Sequence, residues 1–408
     1  MDSQKQEDKM EKIVEKDKET AGGSVGIAQE VEPLRMVEEA VRSADVEETK
    51  SEQRTITVDQ DGNGDYGTIG EALEAAPPET TIKVKYGTYE ENIVIEKNGI
   101  TILGSDDVTV ISTNGDTVSF SANTGTIKNL NFVYLGEDPK PFVVNMVKGK
   151  LILEDCDLRG NKATNTIRVE KDADPIIRNN HIHHGRVGIN ISSDGTGGLI
   201  EHNYIYNNDI SGIGIGPDST PKIKRNKIFR CGVGVSFGVV SKGTLEYNHT
   251  YDNKVGIEVL ASAAPTIRNN SVYNNECGIA VWEQGLGTIE DNHVFDNEED
   301  GILVEHDAEP RVINNTVHDC QTGIKVRGGG IVAMNDVHDN WRSGIDISCG
   351  KSQIVLFNRV YNNPKGIGEL DCDECDILDN CTECSMSDFC SRMDECTDCE
   401  GFWEGLEI

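Results

Sequence analysis

Two His–Asp pairs are the clearest candidates for acid–base chemistry in this sequence. His318–Asp319 and His338–Asp339 occur in the similar stretches VHDC and VHDN, 20 residues apart. An imidazole beside a carboxylate can transfer a proton near neutral pH. However, aspartates occupy the same place in two nearby stretches. This repetition favours an exposed acidic row over a catalytic site.

Seven cysteines near the C-terminus have spacings typical of metal ligands. They are Cys372, Cys375, Cys381, Cys384, Cys390, Cys396 and Cys399. The pairs Cys372–Cys375 and Cys396–Cys399 form a C-x₂-C-x₂₀-C-x₂-C pattern that is typical of structural zinc. Acidic neighbours raise thiol pKa values and so oppose metal binding. A structural zinc site, a disulfide knot and a disordered acidic tail all remain open.

The stretch DQDGNGD begins like the calcium loop of an EF-hand. Asp59, Asp61, Asn63 and Asp65 occupy the first, third, fifth and seventh positions. The twelfth position should supply a bidentate glutamate, but it holds a glycine, and Glu71 comes one residue late. Calcium binding is therefore not expected.

Six residues outside the regular pattern described below are candidates for binding a partner. They are His184, Arg186, Trp282, Glu283, Trp341 and Arg342. Exposed Trp and Arg side chains are enriched at recognition surfaces. Packing within loops is the alternative explanation for the same residues.

A repeat of 20 to 23 residues must position the His–Asp pairs and the six candidate binding residues. One asparagine recurs in nine units from about residue 151 to residue 367: Asn180, Asn203, Asn226, Asn248, Asn270, Asn292, Asn315, Asn335 and Asn358. An aliphatic residue stands three positions before each asparagine, and an aromatic residue or His stands three positions after it. Short strands wound into stacked coils would place like residues above like.

The fold predicted from this repeat is all-β, a right-handed parallel β-helix of about 12 coils over residues 55–367. The asparagine column is expected to be a buried hydrogen-bonding ladder, and the aromatic column a stack of rings. Before the first coil, TIGEALEAAP predicts a short capping helix with Thr68 as N-cap and Glu71 three residues on. Such a helix would cover the open end of the coil.

Charge distinguishes both ends of the chain from its body. The 408 residues carry a net charge of −33, which disfavours nucleic acid or an anionic membrane as a partner. Residues 1–54 are predicted to be a disordered charged arm, and residues 368–408 an acidic Cys-rich segment. No secretory signal or membrane span is apparent, so we expect a cytoplasmic or nuclear location.

The segment TVDQDGNGDYGTIGEALEAAP…GTYEENIVI resembles the N-terminal part of pectin methylesterases over about residues 55–104. That family's catalytic motifs would follow this segment, namely a Gln in an Ala-Val-Ala-Leu setting, Gln-Asp-Thr-Leu, Asp before Phe-Ile-Phe-Gly, and Leu-Gly-Arg-Pro-Trp. None of these motifs is present here. No esterase residue is therefore carried over by the resemblance.

The repeats over about residues 175–368 resemble the carbohydrate-binding and sugar-hydrolase-type β-helix of F-box only protein 11 and its relatives. Both share alternating P-x-I-x-x-N and G-x-I-E-x-N coils. That resemblance implies a β-helix that recruits substrates, although this chain shows no F-box in residues 1–54.

The function predicted from these observations is a non-catalytic binding or scaffold module for a protein or glycan partner, with no cofactor in the β-helix. The alternative is a carbohydrate-active enzyme of the pectin-lyase-like fold, acting as a polysaccharide lyase, hydrolase or esterase. The missing esterase motifs lead us to favour the first.

Overall fold

The described residues form one right-handed parallel β-helix built from three parallel sheets. The computed structural model describes residues 54–170, 172–192, 196–348, 353–368, 375–378 and 380–382. Each coil contributes one short strand to each sheet, and each strand pairs in parallel with the strands of the coils before and after it. The predicted all-β fold is confirmed, with about 13 turns rather than about 12.

Sheet A has 15 strands among the described residues. They are β1 (Thr55–Val58), β2 (Thr81–Val84), β5 (Ile100–Gly104), β8 (Thr124–Lys128), β11 (Lys150–Glu154), β14 (Ile176–Arg178), β17 (Leu199–Glu201), β20 (Lys222–Lys224), β23 (Thr244–Glu246), β26 (Thr266–Arg268), β29 (Thr288–Glu290), β32 (Arg311–Ile313), β35 (Gly330–Ala333), β38 (Gln353–Leu356) and β41 (Cys375–Leu378).

Sheet B follows sheet A in each repeat and has 14 strands in the described ranges. They are β3 (Gly87–Glu90), β6 (Val108–Ser112), β9 (Asn131–Tyr134), β12 (Asp157–Arg159), β15 (His181–His183), β18 (Tyr204–Tyr206), β21 (Lys227–Phe229), β24 (His249–Tyr251), β27 (Ser271–Tyr273), β30 (His293–Phe295), β33 (Thr316–His318), β36 (Asp336–His338), β39 (Arg359–Tyr361) and β42 (Cys381–Thr382).

Sheet C completes each coil and has 13 strands in the part of the chain described. They are β4 (Ile93–Ile95), β7 (Val118–Phe120), β10 (Val144–Met146), β13 (Ile167–Val169), β16 (Val187–Ile191), β19 (Ser211–Ile215), β22 (Val233–Phe237), β25 (Val255–Val259), β28 (Cys277–Val281), β31 (Asp300–Val304), β34 (Thr322–Val326), β37 (Ser343–Ile347) and β40 (Lys365–Ile367).

The corner between sheet A and sheet B is closed by the predicted asparagine ladder. Asn270 is 1% exposed, and its side-chain amide donates to the Leu245 carbonyl oxygen at 2.9 Å and to the Asn292 Oδ1 at 3.0 Å. Its own Oδ1 accepts from the backbone N–H of Asn248 at 2.9 Å. Each asparagine therefore satisfies buried backbone groups and links its coil to both neighbours.

Two further columns of residues hold the left-handed backbone conformation that the corners require. One column precedes the ladder asparagine, as at Asn269 (φ 55°), and the other follows each sheet B strand, as at Asp296 (φ 53°). Asn and Asp adopt this conformation more readily than other non-glycine residues. Asp319 and Asp339, both with φ 53°, belong to the second column, so turn geometry accounts for the aspartate row.

The predicted capping helix is confirmed as α1 (Ile69–Ala75), with Thr68 as its N-cap. The Thr68 hydroxyl accepts from the backbone N–H of Glu71 at 3.1 Å. The Glu91 carboxylate accepts from the first two backbone N–H groups of α1, and Lys97 donates to three carbonyl oxygens at its other end. Opposite charges thus stabilise the two ends of the helix dipole.

Side chains that point outward from the sheets also form regular columns from coil to coil. The rings after each ladder asparagine form one stack on sheet B, with centroids 4.9–5.4 Å apart. On sheet A, one column alternates in charge over eight coils: Lys128, Glu154, Arg178, Glu201, Lys224, Glu246, Arg268 and Glu290. Alternation of this kind opposes a slip of one coil against the next.

The described residues cover only part of the three predicted segments. The N-terminal arm lies outside them except for Arg54. Strands β41 and β42 pair with the preceding coil, so strand pairing continues beyond residue 367. No described helix is long and apolar enough to cross a membrane.

Replacing Asn270 by leucine should destabilise the fold by about 1–3 kcal/mol, because the Leu245 carbonyl and the Asn248 N–H then lose their buried partners. Urea unfolding of the full chain measures this effect. The neighbouring Asn269→Gly is the matched control, since glycine tolerates φ 55°. Equal unfolding midpoints for the two variants would contradict a structural role for the ladder.

Candidate functional site

Glu258 is a half-buried acid on the outward face of sheet C. Its neighbours Ile257 and Val259 in β25 are fully buried in the core, and the alternation of the strand turns Glu258 outward. Ser236 occupies the same position one coil earlier, and its hydroxyl donates to the Glu258 Oε1 at 2.7 Å. The geometry therefore fixes the orientation of this carboxyl.

Burial raises the pKa of the Glu258 carboxyl above its usual range. The hydrogen bond from Ser236 lowers this pKa, and the negative charge of Glu283 raises it. By contrast, the hydrogen bond to His338 holds the pKa of the Asp339 carboxyl below its usual range. A carboxyl with a raised pKa beside a second carboxylate is the arrangement found in general acid catalysis.

The coil after Glu258 brings Trp282 and Glu283 next to it. Trp282 directly follows β28, and its backbone N–H donates to the Val259 carbonyl oxygen at 2.9 Å, which places it beside the end of β25. The indole Nε1 is buried and has no hydrogen-bond partner among the described residues. An aromatic ring beside an acid can stack on the apolar face of a sugar. The predicted binding pair Trp282–Glu283 is thus placed beside an acid.

Basic side chains further along this face are paired with acids. Lys325 lies 3.1 Å from Asp300, and Arg327 lies 2.8 Å from Glu305. Asp300 is 3% exposed, so its charge is compensated locally by Lys325. Lys325 and Arg327 therefore add no unpaired positive charge to this face.

The two predicted His–Asp pairs lie on sheet B, away from Glu258. The His318 Nδ1 is 2.6 Å from the Asp319 Oδ2, and the His338 Nδ1 is 2.7 Å from the Asp339 Oδ2. The two imidazoles stack with centroids 4.9 Å apart. Within each pair the imidazole contacts the neighbouring carboxylate, and a catalytic role for the pairs stays a prediction.

The remaining predicted binding residues lie at separate places. The His184 Nδ1 is 2.6 Å from the His183 Nδ1, and Arg186 is exposed in the following turn. Trp341 is 59% exposed, and Arg342 lines a surface pocket of about 460 Å³ near β37 and β40. Seven coils, roughly 34 Å, separate His184 from Trp341, so these residues do not form one site.

The four cysteines whose side chains the structure describes, Cys156, Cys231, Cys277 and Cys320, are buried thiols. Burial raises the pKa of Cys156 to about 12, and those of Cys231 and Cys320 to about 11, so all three stay protonated. The described residues contain no group of three His, Cys, Asp or Glu that could hold a metal ion. The predicted zinc ligands Cys372, Cys396 and Cys399, and the side chain of Cys375, lie outside them.

Comparison with known families identifies the body of the chain. The model described as the right-handed beta helix region matches residues 108–287 and 255–387.

The chain belongs to the right-handed β-helix family.

The N-terminal coils of this β-helix protein are similar to pectinesterases. The pectinesterase family model matches residues 55–144. A probable pectinesterase/pectinesterase inhibitor 19 from Arabidopsis thaliana is 34% identical over 92 residues, which cover 20% of this chain and 18% of that protein. A pectinesterase from Daucus carota is 33% identical over 92 residues, covering 20% and 29%. The chain thus spans less than a third of either relative.

Solved structures share the fold of this family member. The A-module of mannuronan C-5 epimerase AlgE4 from Azotobacter vinelandii has a TM-score of 0.54 at 14% identity, covering 76% of this chain and 93% of that chain. XylC in complex with xylose has a TM-score of 0.55 at 12% identity, covering 80% and 86%. At these identities the likeness concerns the fold alone.

These findings overturn the prediction of a non-catalytic binding or scaffold module. That prediction is wrong, because the matched relatives of residues 55–144 are pectinesterases and favour the carbohydrate-active alternative. The absence of esterase motifs carried too much weight, since a β-helix assembles its sites from residues of several coils. The resemblance to F-box only protein 11 stays a prediction.

Sequence reasoning missed Glu258 and Ser236. They lie in the column that follows each Gly–aliphatic pair, where the residue type changes from coil to coil: Asn190, Gly214, Ser236, Glu258, Ala280, Leu303, Lys325 and Asp346. A column without a shared residue type gives no repeat signal, so comparison of the coils did not single out Glu258.

Glu258→Gln should stabilise the protein at pH 8 and have little effect at pH 4. A carboxyl whose pKa is raised by folding supports stability below its unfolded pKa and loses that support as the pH rises through the folded value. Glutamine removes the ionisation and can still accept from Ser236. Melting temperatures of parent and variant at the two pH values measure the effect.

The matched control is Glu290→Gln on sheet A, a half-buried glutamate that lies opposite Arg268 in the charged column, so removal of its charge should not stabilise the protein. A stabilisation by Glu258→Gln that is the same at pH 4 and pH 8 would contradict the assignment of a raised pKa.

Proposed function

We propose that this protein is a carbohydrate-active enzyme that cleaves a polysaccharide on the outward face of sheet C, with Glu258 as its general acid. The observation that carries the proposal is the environment of Glu258, which is half-buried, oriented by Ser236 and next to the charge of Glu283. The similarity of residues 55–144 to pectinesterases supports a carbohydrate substrate.

Each residue of the site has a distinct task in this reaction. Protonated Glu258 gives its proton to the oxygen of the bond that breaks, while the hydrogen bond from Ser236 holds the carboxyl in place. Glu283 is the second carboxylate, which activates water or stabilises positive charge on the sugar ring. Trp282 offers an aromatic surface to the adjoining sugar unit.

Charge around the site favours a glycan with few free carboxylates. Residues 269–310 contain 11 Asp and Glu and no Lys or Arg. Two cations further along sheet C are paired, Lys325 with Asp300 and Arg327 with Glu305, and Lys254 precedes the strand that holds Glu258. A polyanion is therefore repelled, whereas a neutral or esterified chain is not.

The full chain should be incubated with highly methyl-esterified pectin, polygalacturonate and a neutral xylan. New reducing ends report hydrolysis, unsaturated ends report elimination, and methanol reports de-esterification. We expect cleavage of the esterified or neutral chain, with activity falling as rising pH deprotonates Glu258. Glu258→Gln should lower the rate by roughly 10²–10⁴-fold.

Glu290→Gln serves again as the control, because it removes one negative charge of the same acidic stretch on another face. Its rate should stay close to that of the parent. Full activity of Glu258→Gln, or release of methanol as the sole product, would refute the assigned role. Preference for polygalacturonate would refute the charge argument while leaving the enzyme assignment intact.

A further inference from the structure

A chain of hydrogen bonds joins one aspartate and two histidines on sheet B. The Nε2 of His183, in β15, lies 3.1 Å from the Oδ1 of Asp157, in β12, and its Nδ1 lies 2.6 Å from the Nδ1 of His184. His183 is 8% exposed and stacks on Tyr206 with ring centroids 4.9 Å apart. The middle member of the chain is therefore held in one orientation.

The aspartate determines where the protons of this chain lie. A carboxylate accepts hydrogen bonds and does not donate them, so neutral His183 carries its proton on Nε2 and accepts through Nδ1. His184 then donates from its own Nδ1, and its Nε2 keeps a free lone pair. This Nε2 has no hydrogen-bond partner among the described residues and is not one of their buried unpaired atoms, so it is open to solvent.

The corner between sheets B and C fixes the position of His184. This residue has φ 57°, the left-handed conformation that Asp319 holds at the same corner of a later coil. Its carbonyl oxygen accepts from the backbone N–H of Lys162 at 2.6 Å. Backbone and ring are thus both restrained, and a base held in one position acts more effectively than a mobile one.

Positive charge lies beside His184. Arg159 pairs in register with His183, is exposed and has no acidic partner among the described residues. Lys162 forms an exposed pair with Asp209 at 3.6 Å, which neutralises it only weakly. Burial first, and then neighbouring positive charges that include Arg159, lower the pKa of His184. The imidazole is therefore a neutral base next to cations.

We propose that His184 is the general base of a second reactive site, which hydrolyses carboxylic esters formed on hydroxyl groups. Asp157 and His183 are positioning residues, and Arg159 stabilises the oxyanion. One cation suits the single charge that develops on an ester carbonyl, whereas phosphoryl transfer spreads charge over three oxygens. The corner lies three coils, roughly 14 Å along the axis, before the coil of Glu258.

The position of the base favours an acyl group on a hydroxyl. In such an ester the carbonyl carbon projects from the rest of the substrate through the ester oxygen, so a base at an exposed corner can reach it. In the ester of a sugar carboxylate, the carbonyl carbon is bonded directly to the ring and is more crowded. An acetylated hydroxyl is the simplest ester of the first kind.

The reaction balances with water as its co-reactant. Water gives a proton to the His184 Nε2 while its oxygen bonds to the carbonyl carbon, and the resulting oxyanion faces Arg159. The bond from that carbon to the alcohol oxygen then breaks, and the proton on Nε2 passes to the departing oxygen. The products are a carboxylic acid and an alcohol, and His184 returns to its neutral form.

A second chain of the same kind lacks the cation. It runs from Asp319 through His318 to His293, with separations of 2.6 and 2.7 Å. The neighbours of His293 in its own column are Ser271 and Thr316, and the charges that act on it come from other histidines. An oxyanion formed there has no cation to face. His293 therefore offers a matched control.

The test is hydrolysis of triacetin by the full chain, followed as acetate release across a range of pH. We expect kcat/KM to rise with pH as His184 loses its proton and then to level off. His184→Gln should lower the plateau value by roughly 10²–10⁴-fold. The control His293→Gln should stay near the parent.

Asp157→Asn separates a positioning role from a structural one. The carboxylate charge raises the pKa of His184, so its removal should move the midpoint of the pH profile to lower pH and lower the plateau rate. A purely structural role would change the melting temperature and leave the midpoint in place.

Two results would overturn the proposal. One is an equal rate for His184→Gln and His293→Gln, and the other is acetate release by the parent no faster than by free imidazole at the same concentration. Triacetin contains no glycan, so both results are independent of the cleavage assigned to Glu258.

Discussion

A tight corner that has to bury its backbone polar groups is the constraint on which this β-helix depends. Between sheets A and B, two residues turn the chain, and the second is the ladder asparagine, as with Asp291 and Asn292. Its amide satisfies carbonyl groups inside the corner, and its oxygen accepts from the coil before. An unpaired buried group costs about 1–3 kcal/mol, so few other side chains can occupy this position.

Because this corner has the same length in every coil of the repeat, the strands on either side of it stay in register. Ile267, Ile289 and Val312 stack inside sheet A, and Val272 and Val294 stack inside sheet B. Residues that point outward from the sheets are aligned between coils in the same way. A residue 22 or 25 positions away in sequence can therefore lie at hydrogen-bonding distance, as Ser236 and Glu258 or His293 and His318 do.

The repeat predicted the fold, the ladder and the ring stack, because each is a column of like residues. The capping helix could also be predicted, since Thr68 and the following proline mark its limits. The repeat pattern could not show that Glu91 and Lys97 lie at the two ends of that helix, because tertiary contacts bring them there. Glu258 was missed because its importance lies in burial and in neighbours from two other coils.

The corner between sheets C and A varies in length from coil to coil. Six residues separate β28 from β29, whereas three separate β34 from β35, and both connections lead from sheet C to sheet A. A turn there can lengthen without disturbing the ladder, because the ladder lies at the opposite end of the sheet A strand. Trp282 and Glu283 occupy the longer of these turns beside Glu258. This corner adjoins the face of sheet C that carries Glu258, so the turn beside that carboxyl can change in length and sequence without loss of the core register.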